Sequence, residues 1–203
     1  MGERQPPRRF VSGGGEGYGS YPMRRFADMF IDPDQDPRPD PPDLGDERAT
    51  LVAFLRWQRD TLELKCSGLD AADLARRTVD PSTLSLLGLV RHMAEVERGW
   101  FRRTMAGQDA PPYFYSASNR DGDFDGAVAD PGVVAEGWRV WKAEIAFAEG
   151  FVAQAPDLDV TGNRRDGGAV SLRWVLVHMI EEYARHNGHA DLLRQRIDGA
   201  VGQ

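Results

Sequence analysis

The sequence predicts an all-α protein that folds as a four-helix bundle. Four segments within residues 46–199 repeat their apolar residues at spacings of three and four, as one buried helix face requires. No segment alternates apolar and polar residues over the length of a strand, so the β-sheet content should be small. A long connection, Gly107 to Asp130, joins the second and third helices, and such crossovers are a known variant of bundle topology.

The first 45 residues differ in composition from the rest of the chain. Glycines crowd residues 13–19, and prolines recur among aspartates from Pro33 to Pro42. Because glycine raises the entropy cost of ordering and closely spaced prolines break helices, residues 1–45 are expected to form a flexible Gly/Pro-rich extension. The bundle itself is expected to occupy residues 46–199.

The first two long helices begin at residues that commonly cap helices. The first is predicted from Asp46 to Lys65, and a short segment with an acidic cap follows it, from Asp70 to Arg77. The second long helix is predicted from Leu84 to Met105. Ser82 is its expected N-cap, since a serine hydroxyl can accept a hydrogen bond from the free amide groups of the first turn.

The third and fourth helices follow the long connection. The third is predicted from about Pro131, because proline suits the first helical position, to about Gln154. The fourth is predicted to begin after Gly168 and to continue to about Arg196, with a seam of residues spaced alternately by four and three. The seam consists of Leu172, Leu176, Met179, Tyr183, His186, Ala190, Leu193 and Ile197.

Three polar residues face the predicted apolar interior from two helices. Glu182 and His186 lie one turn apart on the fourth helix, and His92 lies on the apolar stripe of the second. Burying a lone carboxylate costs free energy unless the charge is paired. A metal ion would pair it, since two histidines and one carboxylate are suitable ligands for zinc, nickel or iron and leave a coordination position open for catalysis. On the residues alone, a metal site and a buried polar network are equally good interpretations.

Three more residues lie close to this set in the predicted bundle. His178 is one turn before Glu182 and can extend the stripe as a ligand. His178 and His189 are more simply interpreted as hydrogen-bonding partners behind the ligands or as residues at the bundle edge. Trp100 is near enough to His92 on the second helix to form part of a pocket wall, although core packing is the simpler interpretation.

One motif in the long connection resembles a calcium-binding loop but is not interpreted as one. Residues Asp121 to Gly126 match the opening of a calcium-binding loop. The twelfth position of that loop is Gly132, where calcium needs a bidentate glutamate. A solvated, capped loop is therefore predicted in place of a calcium site.

Composition and charge exclude several classes of protein. The net charge is -7 and no basic face is evident, which argues against a nucleic-acid partner. Cys66 is the single cysteine, so intramolecular disulfides and thiolate metal clusters are excluded, and the residue is interpreted as a small semi-buried side chain. No apolar run is long enough for a membrane helix or the core of a signal peptide, so a cytoplasmic location is expected, with no membrane partner.

Two stretches resemble the helix-two and helix-four motifs of the DinB-like superfamily. They are Leu84–Glu97 (LSLLGLVRHMAEVE) and Glu182–Arg194 (EYARHNGHADLLR), and the resemblance covers about residues 46 to 199. It implies a bundle of the DinB-like type with His92, Glu182 and His186 as metal ligands. Many members have three histidines at these positions. The set here is similar to the His-Glu-His set of the mycothiol-dependent maleylpyruvate isomerase, and His189 replaces the glutamine usual in the family.

The resemblance also implies an activity. Members of the superfamily include metal-dependent transferases of low-molecular-weight thiols, and an arginine-rich composition fits an actinobacterial host, whose thiol is mycothiol. The expected function is a zinc-dependent mycothiol S-transferase, in which the metal lowers the pKa of the thiol so that the thiolate attacks a small electrophile. Such a reaction would serve detoxification or specialised metabolism.

Two other functions stay open at this point. A hydrolase or isomerase could use metal-activated water and would turn over without added thiol. A non-catalytic metal-binding protein would keep a tight site, but the cavity beside it would be closed. A homodimer through outward helix faces is a further expectation of the resemblance.

Overall fold

The computed structural model describes residues 31–32 and 35–202, so most of the predicted N-terminal extension lies outside the described residues. The described part is mostly helical, which confirms the all-α prediction. No helix in that part combines the length and the apolar composition that a membrane crossing requires. The helices are α1 (Glu47–Cys66), α2 (Ala71–Ala75), α3 (Leu86–Glu97), α4 (Gly122–Asp125), α5 (Pro131–Gln154) and α6 (Leu172–Asp198).

The four long helices form the bundle by packing in two main pairs. Helix α1 packs along α6, and α3 packs along α5. The predicted seam of α6 faces the interior: every member from Leu172 to Leu193 is buried, and Ile197 is partly buried. Burial of these apolar side chains supplies most of the favourable free energy that holds the pairs together.

Helix α3 begins later than predicted. Its N-cap is Ser85, whose Oγ accepts a hydrogen bond from the Gly88 amide at 3.1 Å, so the prediction of Ser82 was wrong. The Ser82 hydroxyl instead accepts from the Leu84 amide at 3.2 Å, in the turn before the helix. Two serines three residues apart offer equivalent caps, and the choice depends on where the chain enters the bundle.

The second long helix changes its winding halfway along. After Glu97 the chain continues without a break as a π-helix, Arg98–Met105. The Ala106 amide ends this segment by donating to the Phe101 carbonyl at 2.9 Å, five residues earlier. Such wide turns often occur at functional sites, because they displace side chains from the regular helical positions.

A short hairpin precedes α6. Strands β1 (Thr161–Asn163) and β2 (Ala169–Ser171) pair antiparallel. Because β2 occupies the residues after Gly168, α6 starts at Leu172, slightly later than predicted. Gly162 lies against the π-helix so closely that a Cβ there would come within 2.3 Å of the Thr104 carbonyl oxygen. The sheet is as small as predicted, and it anchors the loop 164–168 beside the second helix.

The long connection between the second helix and α5 is tied to α3 by hydrogen bonds. Glu95 Oε1 accepts from the amides of Tyr113 and Phe114, at 2.5 and 2.7 Å. Arg91 donates to the carbonyls of Gly122 and Asp123. The connection, with α4 inside it, is thus a fixed wall on one side of the bundle.

Candidate metal centre

Three side chains converge between α3 and α6. His92 comes from α3, and Glu182 and His186 come from successive turns of α6. One ligand atom from each lies within 4.8 Å of the other two. The imidazole rings of His92 and His186 meet edge to face with centroids 4.8 Å apart, and His186 Nε2 lies 3.6 Å from Glu182 Oε2.

The local sequence explains why the three residues meet. His186 continues the buried seam after Met179 and Tyr183, and only 9% of its surface is exposed. Glu182 lies next to that seam, and its side chain stays 27% exposed. The His92 side chain is 26% exposed, next to the fully buried Met93. The set therefore lies at the edge of the core, where solutes can reach it.

His92 is held by a carboxylate from the long connection. Its Nδ1 lies 2.8 Å from Asp123 Oδ2, and its ring stacks on Phe124 with centroids 5.0 Å apart. Because an ionised carboxylate can only accept, Nδ1 is the nitrogen that donates to Asp123, and Nε2 is the nitrogen left to face a metal ion. This arrangement, in which a carboxylate orients the far nitrogen, is the usual support of a metal-binding histidine.

The interpretation of residues 121–126 as a solvated loop holds for the exposed Asp121 and Asp125 but is wrong for Gly122 and Asp123, which are buried. Asp123 is 5% exposed, and Gly122 is buried under the Phe114 carbonyl. The loop includes α4, whose backbone carbonyls accept from Arg91. The aspartates there do not act as one set, because Asp125 pairs with Arg77 at the surface while Asp123 turns inward to His92.

Glu182 is supported by His178, one turn earlier on α6. His178 Nε2 lies 3.3 Å from Glu182 Oε1, and its Nδ1 lies 3.5 Å from Glu181 Oε2. The His178 ring stacks on Trp174 and meets Trp100 edge to face, each at 4.8 Å between centroids. The structure thus places His178 beside the carboxylate and outside the group of three.

His186 contacts His189, and its burial favours the neutral form of its ring. The Nδ1 atoms of the two rings are 3.4 Å apart. Burial lowers the pKa of His186 to about 4, and electrostatic repulsion by the neighbouring basic groups of His92, His189 and Arg185 acts in the same direction. The neutral ring, which is the form that binds metals, is therefore favoured at neutral pH.

The donor set and its dimensions fit a divalent metal. Zinc binds imidazole nitrogen and carboxylate oxygen at about 2.0–2.2 Å in tetrahedral geometry, so two such donors on one ion lie about 3.3–3.6 Å apart. The donor atoms here lie within 4.8 Å of one another, so the widest pair would approach by about 1.5 Å or less to close around an ion. Three protein donors also leave at least one coordination position free.

A cavity of about 450 Å³ opens beside His92. The π-helix contributes Trp100 to its wall, the long connection contributes Phe124 and Arg120, and the hairpin loop contributes Arg165. Trp100 lines this wall near His92 and also packs against the core, so both interpretations of the sequence describe part of its surroundings. Glu182 and His186 are not part of this wall, so a ligand in the cavity meets the set from the His92 side.

Several residues of this region escaped the sequence analysis. Asp123 was assigned to the motif that resembles a calcium-binding loop, and Arg120 and Arg165 carry no sequence motif at all. One signal was available for Asp123, because a metal-binding histidine normally needs a carboxylate or carbonyl on its other nitrogen. The two arginines come from separate loops, so only the packed structure shows that they share a cavity.

Cys66 takes no part in this site. It is buried at the end of α1, and burial raises the pKa of its thiol to about 12. The thiol stays protonated and shielded at neutral pH, so any thiol that reacts at the site comes from outside the chain.

Comparisons with known proteins bear on this site. The model of the mycothiol-S-transferase family matches residues 50–199, about three quarters of the chain. That range contains α3, α5 and α6 in full, α1 from Thr50 onward, and the three converging residues. A search of curated proteins finds no match to the chain.

Proposed function

The chain belongs to the mycothiol-S-transferase family, and we propose that it joins mycothiol to a small electrophile at a divalent metal ion. His92, Glu182 and His186 would hold the ion, with zinc as the first candidate and nickel or iron as alternatives. The observation that carries the proposal is the convergence of these three donors beside an open cavity.

The residues present suit that ion by chemistry as well as by distance. Two neutral imidazoles and one carboxylate reduce the charge of a divalent ion only in part, which keeps it a Lewis acid. An ion bound there lowers the pKa of a thiol and so supplies a thiolate at neutral pH.

The chain's own groups would prepare the site for both substrates. Asp123 keeps the proton on Nδ1 of His92, so that Nε2 faces the set. His178 limits the rotation of the Glu182 carboxylate through Oε1. Trp100 and Phe124 form an apolar part of the cavity wall, and these side chains would exclude water from around the reacting atoms.

The open cavity favours an enzyme over a protein that only sequesters metal. A sequestering site has no need of space next to its ligands, whereas His92 borders a cavity of about 450 Å³. That volume lies within the range of about 300–1,000 Å³ that small-molecule sites usually occupy.

Thiol dependence separates the proposed transferase from an enzyme that activates water. Purified protein is incubated with a bimane electrophile, with and without mycothiol, before and after removal of metal by a chelator. The proposal predicts a mycothiol conjugate that forms above the uncatalysed rate and disappears with the metal. Turnover of the electrophile without any thiol would instead support a hydrolase or isomerase.

A further inference from the structure

Arginines from three separate elements lie around the cavity beside His92. Arg103 from the π-helix, Arg120 from the long connection and Arg165 from the hairpin loop all line it. The same wall holds three acidic residues, Glu95, Asp121 and Asp123, so the charges available to a ligand depend on which of these groups already have partners. Three separate elements bring these charges together, and each element is held in place by contacts described above.

Two of these arginines have no partner within the described part of the chain. No hydrogen bond, ion pair or ring contact engages the side chains of Arg120 and Arg165 there, and both residues are exposed. Arg164, the neighbour of Arg165, shows the contrast, because its guanidinium pairs with Asp166 at 3.2 Å and does not line the cavity.

The carboxylates of the cavity are mostly engaged. Asp123 binds His92, and Glu95 binds two backbone amides and has Arg103 at 4.0 Å. Asp121 is the remaining acidic residue of the wall. The three arginines and the three carboxylates of the wall therefore balance in formal charge, but the guanidinium groups of Arg120 and Arg165 stay available to a substrate.

We propose that the electrophile used by this enzyme carries a carboxylate, which Arg120 and Arg165 bind at the mouth of the cavity. This inference rests on the proposed transferase function. A guanidinium matches a carboxylate with two parallel hydrogen bonds, which fixes direction as well as charge. Such anchoring holds the attacked carbon near the thiol sulfur, where a separation of about 3–3.5 Å is needed for reaction.

Matched pairs of alkyl halides test the inference with mycothiol as the constant thiol. One pair is iodoacetate and iodoacetamide, and the longer pair is 4-(bromomethyl)benzoate and 4-(bromomethyl)benzamide. In each reaction the sulfur–carbon bond forms, the carbon–halogen bond breaks, the halide leaves with the electron pair, and the thiol proton passes to the buffer. Each kcat/KM is divided by the uncatalysed rate constant of the same electrophile, which removes differences in intrinsic reactivity.

The anionic member is expected to be preferred by about tenfold in at least one pair, as two partly exposed charge contacts allow. The preference should weaken as salt rises from about 0.02 to about 0.5 M, because exposed charges are screened. In the Arg120→Ala/Arg165→Ala variant the preference should fall to about one, while Arg164→Ala should keep it.

The outcomes separate this inference from the proposed function. Equal normalised rates within both pairs would overturn the inference and leave the transferase intact. A preference that survives in the Arg120→Ala/Arg165→Ala variant would also overturn it, because the selectivity would then come from elsewhere. Absence of thiol adduct above background with all four electrophiles would instead count against the transferase itself.

Discussion

Asp123 is the residue on which the orientation of His92 depends. It reaches the imidazole from the long connection, 31 positions away in the sequence, and binds Nδ1 at 2.8 Å. Without it the ring could rotate or exchange its protonated nitrogen, and both changes weaken a metal ligand.

Replacement of Asp123 by alanine is therefore expected to weaken metal affinity by about 10–100-fold. The affinity is measured by competition with a chromophoric chelator. Asp125→Ala is the matched control, because Asp125 lies on the same short helix but pairs with Arg77 at the surface. Equal affinities of the two variants would contradict the role given to Asp123.

The sequence predicted which three residues converge but not what supports them. Helical spacing placed Glu182 and His186 on one face and His92 on an apolar stripe, since those relations are local. The partnership of His92 with Asp123 depends on how the connection folds back onto α3. Spacing along one helix carries no information about such a contact.

A buried network joins the four long helices. Glu97 of α3 binds Arg59 of α1 with both carboxylate oxygens, at 2.8 and 2.9 Å. Tyr183 of α6 donates to Glu97 at 2.8 Å and accepts from Trp141 of α5 at 2.9 Å. Burial and the charge of Glu97 raise the pKa of Tyr183, so its hydroxyl stays a donor.

Removal of the Tyr183 hydroxyl should destabilise the bundle as a whole. Tyr183→Phe leaves the Trp141 N–H without its acceptor, at a cost of about 1–3 kcal/mol in the free energy of unfolding. Urea denaturation followed by circular dichroism measures the change. Tyr113→Phe is the control, because Tyr113 is 51% exposed. A loss no larger than in the control would show that the network contributes little.

The wall formed by the long connection depends on a glycine. A Cβ at Gly122 would come within 2.4 Å of the Phe114 carbonyl oxygen, so Gly122→Ala should displace α4 and lower stability by about 1–3 kcal/mol. Gly150 lies in α5 with open space around it, and Gly150→Ala should raise stability by about 0.5–1 kcal/mol. Thermal unfolding compares the two, and the same sign for both would contradict the packing described here.

At the scale of elements, the sequence predicted the long helices better than their beginnings. The apolar repeat identified all four because it extends over many turns. The start of α3 at Ser85 and the pairing of Ala169–Ser171 with β1 depend on neighbouring segments, so the local sequence misplaced both starts. The π-helix has no sequence signal of the kind used, because its buried residues, Arg98, Phe101 and Met105, still recur at spacings of three and four.

Residues before the domain boundary proposed near residue 46 also contact the bundle. Arg38, in the described part of the extension, is buried against α1, where its guanidinium lies 4.1 Å from the Trp57 ring and donates to Thr61 at 2.7 Å. The end of the extension therefore adds contacts to the domain predicted at residues 46–199.

A chain that starts at residue 46 should fold as a helical bundle and keep its metal. Its free energy of unfolding should fall by about 1–3 kcal/mol, since the contacts of Arg38 are lost. Circular dichroism and denaturant unfolding provide the measurement, with Arg38→Ala in the full chain for comparison. Loss of helical signal in the truncated chain would contradict the proposed boundary.

The central claim, a metal ion that binds the thiol, is tested by metal content and mycothiol titration on the same samples. The proteins are the wild type, His186→Ala, and Leu192→Ala as a control at an exposed position of α6. The account predicts about one divalent ion per chain and mycothiol binding in the wild type and the control, with both lost in His186→Ala. A carefully purified wild type without metal, or mycothiol binding that is unchanged in His186→Ala, would contradict it.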